Sequence, residues 1–158
     1  MKPVTVTIDV PQPREAVYDF LDVMANHEPF NDHMMRDWHL EGPARGIGSR
    51  ARVTAIAAGR TETVEIVVIE AERPVKTVER NVGAGGKRVG TGTYTLADLP
   101  GGGTRVTFTY AARMPGEAPM AIFATARTAG WIAHAAEEYA EPPLRFRGRA
   151  VRPRRRQP

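Results

Sequence analysis

The sequence predicts an α+β fold: a curved antiparallel sheet of about six strands wrapped around a long C-terminal helix, with one or two short helices after the first strand. After Gly46, segments that alternate apolar and polar residues follow one another with only short turns between them. Strands joined in this way pair antiparallel, because parallel pairing needs long crossovers. The segment Ala118–Ala140 is a run of strong helix formers. A long amphipathic helix and the inner face of a curved sheet each need a cover, and each can cover the other.

The N-terminal part is expected to form a half-buried strand followed by a short helix. Lys2–Val10 alternates apolar and polar side chains, as a strand with one buried face requires. Pro13 suits the first turn of a helix, where its missing N–H is not needed. Apolar residues then recur at helical spacing. The residues of this apolar stripe are Val17, Phe20, Leu21 and Met24.

Five further strands are predicted after Gly46 from their period-two alternation. In each strand, alternate residues form one mainly apolar face. In chain order, the residues of these faces are Ala51, Val53 and Ala55; Val64, Ile66 and Val68; Val78, Arg80 and Val82; Gly90, Gly92, Tyr94 and Leu96; and Val106, Phe108 and Tyr110. Arg80 lies between two valines on its face, so it should point inward if the valines do. Gly90 and Gly92 would leave room on their face or relieve the curvature of the sheet.

The segment Asn26–His39 concentrates three histidines, two aspartates, a glutamate and a tryptophan. It has no clean period, which predicts short helical turns and loops. The histidines are spaced so that they share no helical face, and they do not match the helical zinc motif, so no metal site is predicted. One interpretation is an apolar-lined rim formed by Phe30, Met34, Met35 and Trp38. The other is an entrance with acid–base groups, namely Asp32 with His33 or His39.

Length and charge favour one domain with a separate basic tail. The chain has 158 residues, which suits a single domain, and we expect it to comprise residues 1–141. Residues 145–158 hold seven of the 22 basic residues and no acidic one, so residues 1–144 hold 15 basic against 18 acidic residues. We therefore expect residues 142–158 to be a basic, disordered tail. With no cysteine, no signal-peptide pattern and no long apolar run, a cytoplasmic protein without a membrane span is expected.

Three stretches of the sequence resemble the START-like, or SRPBCC, superfamily of polyketide cyclase/dehydratase-like and lipid-transfer proteins. The stretch VTIDVPQPREAVYDFL is similar to its first strand and helix, and DWHLEGPARGIGSRARV to its tryptophan-containing segment before the next strand. The stretch GTYTLADLPGGGTRVTFTY is similar to its late hairpin. The resemblance covers about residues 3–140. It implies a helix-grip fold, in which the sheet and the last helix enclose a hollow, but it names no single activity.

The resemblance implies that inward-facing side chains bind a hydrophobic small molecule, such as a lipid or a polyketide-like aromatic compound. Arg80 with Tyr94 and Tyr110 would form a set of hydrogen-bond donors for a carbonyl, an enolate or a carboxylate. The alternative is a solvated Arg80 and tyrosines that only fill the core. The expected ligand-binding residues are Met34, Trp38, Arg80, Tyr94, Phe108, Tyr110 and Trp131. No cofactor is expected.

Two other functions stay open. The protein would be a polyketide cyclase/dehydratase-like enzyme if a reactive chain folds in the hollow and a donor set stabilises an enolate. The candidate catalytic residues are then Arg80, Tyr94, Asp32 and His33. It would be a protein- or RNA-interaction module if the arginine-rich tail binds phosphates, and nucleic acid is a partner only in that case. A monomer and a homodimer are both compatible with the sequence. The ligand hypothesis requires space inside the fold and Arg80 pointing into it.

Overall fold

The computed structural model describes residues 3–57 and 60–113, and these residues form one antiparallel sheet with short helices. The strands are β1 (Val4–Val10), β2 (Met35–Glu41), β3 (Arg50–Ala57), β4 (Arg60–Glu72), β5 (Lys76–Gly83), β6 (Arg88–Asp98) and β7 (Thr104–Arg113). The helices are α1 (Arg14–Leu21) and α2 (His27–Asn31), with single 3-10 turns at Met24–Asn26 and Ala84–Gly86. The predicted C-terminal helix, Trp131 and the tail 142–158 lie outside the described residues.

The seven strands lie in the order β1-β7-β6-β5-β4-β3-β2, and every neighbouring pair is antiparallel. Side chains from six neighbouring strands, β2 to β7, line one cavity. Six strands extend about 24 Å across a flat sheet. The sheet must therefore curve around this cavity, and the face on the cavity side is called the inner face below.

Two apolar clusters lie on the inner face, one toward each edge of the sheet. The first joins α1 and α2 to strands β1, β6 and β7 through Tyr18, Leu21, Phe30, Leu96 and Val106, among other residues. The second joins Met24 to strands β3 and β4. The residues of the apolar stripe predicted for the first helix are buried or half-buried, as expected. The α-helix itself ends at Leu21, and Met24 lies in the 3-10 turn that follows.

Most of the predicted inner faces agree with the observed burial. Val53, Ile66 and Val106 are buried, and their sequence neighbours on both sides are more exposed. The pairing registers place Val53 opposite Val64 and Ala51 opposite Ile66, so the predicted faces of β3 and β4 meet on one side of the sheet. The period-two pattern was sufficient here because these strands combine an apolar and a polar face.

One strand was missed. The prediction of about six strands assigned turns and loops to the segment before His39, but Met35–Glu41 forms β2 at the edge of the sheet. The strand carries a bulge between Arg36 and His39, and Asp37 there has a positive φ of 54°. A bulge inserts one residue and shifts the alternation. An edge strand of this kind shows no clean period two, which is why the pattern did not reveal it.

The loop from β2 to β3 gives a test of the fold near this edge. Gly42 and Gly46 both have positive φ, 77° and 75°. A Cβ at Gly42 would lie 2.6 Å from the backbone oxygen of Gly48, whereas a Cβ at Gly46 would meet nothing within 4 Å. Gly46→Ala should therefore lower the free energy of unfolding by about 1 kcal/mol from backbone strain alone. Gly42→Ala should lower it by at least about 2 kcal/mol, since the clash adds to the strain.

Urea denaturation of the two variants and the wild type measures this difference. Equal losses in both variants would show that Gly42 does not approach the Gly48 carbonyl as described.

Candidate ligand-binding cavity

A cavity of about 50 Å³ lies between the inner face, α2 and the edge strand β2. Its apolar lining consists of Met34, Met35, Trp38, Ala55, Val64, Ile66 and Phe108. Its polar lining consists of His27, Asn31, Glu79, Asn81, Arg88, Tyr94 and Tyr110. A space of this size holds a few water-sized groups. The first condition of the ligand hypothesis, space inside the fold, is therefore met, although the space is small.

Two glycines of β6 make room for aromatic rings of β7. A Cβ at Gly92 would lie 3.0 Å from the ring of Phe108, and a Cβ at Gly90 would collide with the hydroxyl end of Tyr110. The pairing register places Gly92 opposite Tyr110 and Tyr94 opposite Phe108. The glycines thus leave space on the inner face, as one of the two interpretations of the sequence proposed, and the rings of Phe108 and Tyr110 occupy much of it.

The prediction that Arg80 points into the hollow is wrong. Arg80 is exposed, and the inward positions of β5 are those of Glu79 and Asn81, both buried and both lining the cavity. The reason is the connection between β5 and β6, in which Gly83 pairs with Arg88 across a four-residue loop. With an even number of loop residues, Arg80 pairs with Thr91 and shares its outward face. Arg80 and Tyr94 can face inward together only if the loop has an odd number of residues or a bulge intervenes.

The second condition of the ligand hypothesis therefore fails, and the donor set built on Arg80 does not exist. A different polar set takes its place, centred on the carboxyl group of Glu79. Glu79 is 5% exposed and lies directly opposite Gly92, where no side chain competes for space.

His27 and Glu79 form a buried pair at the inner end of the cavity. The imidazole Nε2 is 2.7 Å from the Leu21 carbonyl oxygen, so it must carry the proton and donate. The other ring nitrogen, Nδ1, lies 3.2 Å from Oε1 of Glu79. This distance is that of an ion pair, but the geometry is not that of a hydrogen bond, and Oε1 accepts none. Burial raises the pKa of Glu79, and the charge of His27 opposes this effect.

Tyr94 completes this end of the cavity. Its ring lies 4.6 Å from the ring of Phe108 and 5.9 Å from that of His27, measured between centroids. Burial, with a further contribution from the nearby Glu79 carboxyl, raises the pKa of Tyr94 well above its usual value. The phenol therefore stays neutral and can both donate and accept a hydrogen bond.

A buried arginine does line the cavity, but it is Arg88 rather than Arg80. Arg88 is 6% exposed and forms an ion pair with Glu62. The other carboxylate oxygen of Glu62 accepts a hydrogen bond of 2.9 Å from the backbone N–H of Ala84. The guanidinium charge is thus compensated by a carboxylate that is itself held in place by the loop between β5 and β6.

The structure brings some of the predicted residues of Asn26–His39 to the cavity and leaves others outside. Met34, Met35 and Trp38 line it, as the rim interpretation expected, whereas Phe30 lies in the first apolar cluster. Asp32 and His39 are exposed, and His33, although half-buried, does not line it. Of the three histidines, the one in the site is His27, which was not singled out. The predicted residues that line the cavity are Met34, Trp38, Tyr94, Phe108 and Tyr110.

Sequence reasoning missed Arg88, Glu79, Asn81 and His27, and only for the first was a signal available. Arg88 continues the period-two series of Gly90, Gly92 and Tyr94 by one step, so extending the series would have placed it inward. Glu79 and Asn81 were hidden by the assumption that valines mark the inner face of β5. His27 is identified only by its contacts with Leu21 and with a strand 52 positions further along the chain.

Comparisons with solved structures identify the fold. A norcoclaurine synthase from Thalictrum flavum, a point mutant in complex with a transition-state analogue, matches with a TM-score of 0.68 at 12% identity, over 88% of this chain and 96% of that one. Major latex-like protein 151 from Panax ginseng matches with a TM-score of 0.67 at 11% identity, over 89% and 98%. DynU16, from the dynemicin biosynthetic locus, matches with a TM-score of 0.58 at 20% identity, over 90% and 48%.

These structural neighbours are Bet v 1-like proteins of the SRPBCC superfamily, so the resemblance seen in the sequence is confirmed. At these identities the likeness shows the fold alone. No family model and no curated protein matches the sequence. No helix among the described residues is long and apolar enough to cross a membrane.

The buried pair predicts an unusual pH dependence of stability. Because the pKa of Glu79 is raised in the folded protein, the native state holds this proton more tightly than the unfolded chain does. The contribution of Glu79 is fully present below the unfolded pKa of about 4.3 and is lost as pH rises through the folded pKa. His27 from α2 and Tyr94 from β6 are the titratable groups of the cavity that face it.

Glu79→Gln should remove this loss, because a glutamine resembles the protonated acid and can donate to Nδ1 of His27. Relative to the wild type, the variant should gain free energy of unfolding as the pH rises from 4 to 8. The matched control is Glu28→Gln, at an exposed position of α2 next to His27. Urea denaturation at several pH values measures the difference. Parallel pH profiles for Glu79→Gln and the wild type would contradict the burial of this carboxyl.

Proposed function

We propose that the protein binds a hydrophobic small molecule of aromatic character in the cavity of the inner face. The observation that carries the proposal is the composition of the cavity, which combines an apolar wall with a few buried polar groups at one end. Ligand sites are built in this way, with apolar contacts supplying affinity and polar groups fixing orientation. The fold supports the proposal, since its structural neighbours suggest binding of hydrophobic ligands.

A ligand larger than a few atoms must displace side chains from the present space of about 50 Å³. Met34 and Met35 lie in the cavity wall, and methionine adapts its shape more readily than branched or aromatic residues do. Trp38, next to them, is a flat surface against which an aromatic ligand can pack. Each Å² of apolar area that the ligand buries would contribute roughly 25 cal/mol.

A second candidate function is an enzyme of the polyketide cyclase/dehydratase type. The observation that favours it is the contact between His27 and Glu79, since a buried carboxyl with a raised pKa is suited to accept a proton from a substrate. Of the four catalytic candidates from the sequence, Tyr94 alone lines the cavity, and Glu79 replaces Arg80 as the residue to mutate first. Retained binding with lost turnover in Glu79→Gln would favour this function over simple binding.

Filling the cavity tests the binding proposal. Ala55 is 1% exposed and lines the cavity, so Ala55→Leu should occupy the space that a ligand needs. Ala97→Leu introduces the same side chain at an exposed position of β6 and serves as the matched control. With N-phenyl-1-naphthylamine as a neutral fluorescent probe, Ala55→Leu should weaken binding about tenfold, which corresponds to about 1.4 kcal/mol. Ala97→Leu should leave the affinity unchanged.

Thermal unfolding of both variants confirms that they are folded. Equal affinity in Ala55→Leu and the wild type would show that the probe binds elsewhere. Native mass spectrometry of the purified wild-type protein provides an independent readout, because a bound compound of the cell would appear as an added mass that Ala55→Leu lacks.

A further inference from the structure

The polar end of the cavity is centred on a hydrogen-bond acceptor, whereas the sequence suggested a set of hydrogen-bond donors. Around a ligand, an arginine-centred set would favour carbonyl and carboxylate groups. The group that the structure places there is instead a carboxyl, that of Glu79, with Oε1 buried and accepting no hydrogen bond. An unsatisfied buried acceptor costs free energy that a ligand with a hydrogen-bond donor recovers.

His27 does not donate the hydrogen bond that Oε1 of Glu79 lacks. Its Nε2–H is committed to the Leu21 carbonyl oxygen, which fixes both the tautomer and the direction of the ring. Its Nδ1 is turned toward Glu79. Neither ring nitrogen is therefore directed at a ligand, and the Glu79 carboxyl is a hydrogen-bond acceptor at this end that His27 leaves unused.

Among the described residues that line the cavity, each group that can carry a positive charge lies beside a carboxyl group. A buried carboxylate without a compensating charge is costly, and Nδ1 of His27 lies 3.2 Å from Oε1 of Glu79. Arg88 is compensated by Glu62. A ligand carboxylate would lose its hydration, meet no uncompensated positive charge among the described residues and lie against the oxygens of Glu79.

We propose that the cavity selects uncharged hydroxyl-bearing ligands, phenols or alcohols, whose O–H donates to Glu79, and that it discriminates against carboxylic acids. This inference rests on the proposed function and specifies its ligand class. Tyr94, kept neutral by burial and packed against Phe108 and His27, lies beside the same carboxyl and provides an aromatic surface for the ring that carries the hydroxyl.

Three probes of the same shape separate the contributions. Toluene, p-cresol and p-toluate share a methyl-substituted ring and differ in carrying no polar group, a donor hydroxyl or a carboxylate. Binding to the full-length protein at pH 7.5 is followed by chemical-shift changes in labelled protein. In the wild type, toluene and p-cresol should bind, and p-toluate should bind at least tenfold more weakly than p-cresol.

Two variants assign the selectivity to Glu79. Glu79→Met keeps a side chain of similar length but removes the acceptor, so p-cresol should lose about tenfold in affinity while toluene changes less than twofold. Glu79→Gln keeps an acceptor oxygen and adds a donor, so p-cresol should stay within about threefold and p-toluate should gain affinity. Glu79→Gln preserves the test if Glu79→Met does not fold.

The outcomes distinguish the inference from the function on which it rests. If toluene and p-cresol bind but p-cresol responds to Glu79→Met no more than toluene does, or if p-toluate binds the wild type more tightly than p-cresol, the inference is overturned and the binding function stands. If none of the three probes binds the wild-type protein, both are overturned.

Discussion

The contact between His27 and Glu79 ties the short helices to the middle of the sheet, and the site depends on it. His27 begins α2 and is held from behind by the Leu21 carbonyl oxygen at the end of α1. Glu79 lies on β5, the central strand of seven. Between them they close one end of the cavity with groups that are 2% and 5% exposed. A pair so deeply buried is a poor source of net stability, so its presence at the end of a cavity is better explained by a role in recognition or chemistry.

The cavity exists because the inner face is built unevenly. Toward the edges, apolar side chains of β1, β3 and β4 pack in clusters with the helices and the 3-10 turn. In the middle, the glycines of β6 lie beside the rings of Phe108 and Tyr110 on β7, and β5 carries the polar residues Glu79 and Asn81. The same sheet thus provides both a packed core and a cavity, and the cavity depends on the inward-facing residues of β5 and β6. A fold of this kind can change its ligand without changing its core.

Physical patterns in the sequence were sufficient for the architecture and insufficient for the site. Alternation identified the inner faces of β1, β3, β4, β6 and β7, because each of these strands has one face more buried than the other. It failed for β2, where a bulge at Asp37 interrupts the period, and for β5, where both Val78 and Glu79 are buried. The face of β5 is set by the length of the loop to β6, and a change of one residue would exchange Arg80 for Glu79 on the inner face. Such register information is a property of the paired strands rather than of either one alone.

The central claim is that the Glu79 carboxyl is buried beside His27 in the cavity, and its own titration tests this most directly. In protein labelled with ¹³C at glutamate Cδ, the resonance assigned by its loss in Glu79→Gln should titrate above the usual glutamate pKa of about 4.3. It should also respond to p-cresol, whereas the Glu28 resonance should not. A Glu79 resonance that titrates at or below about 4.3 would contradict the account.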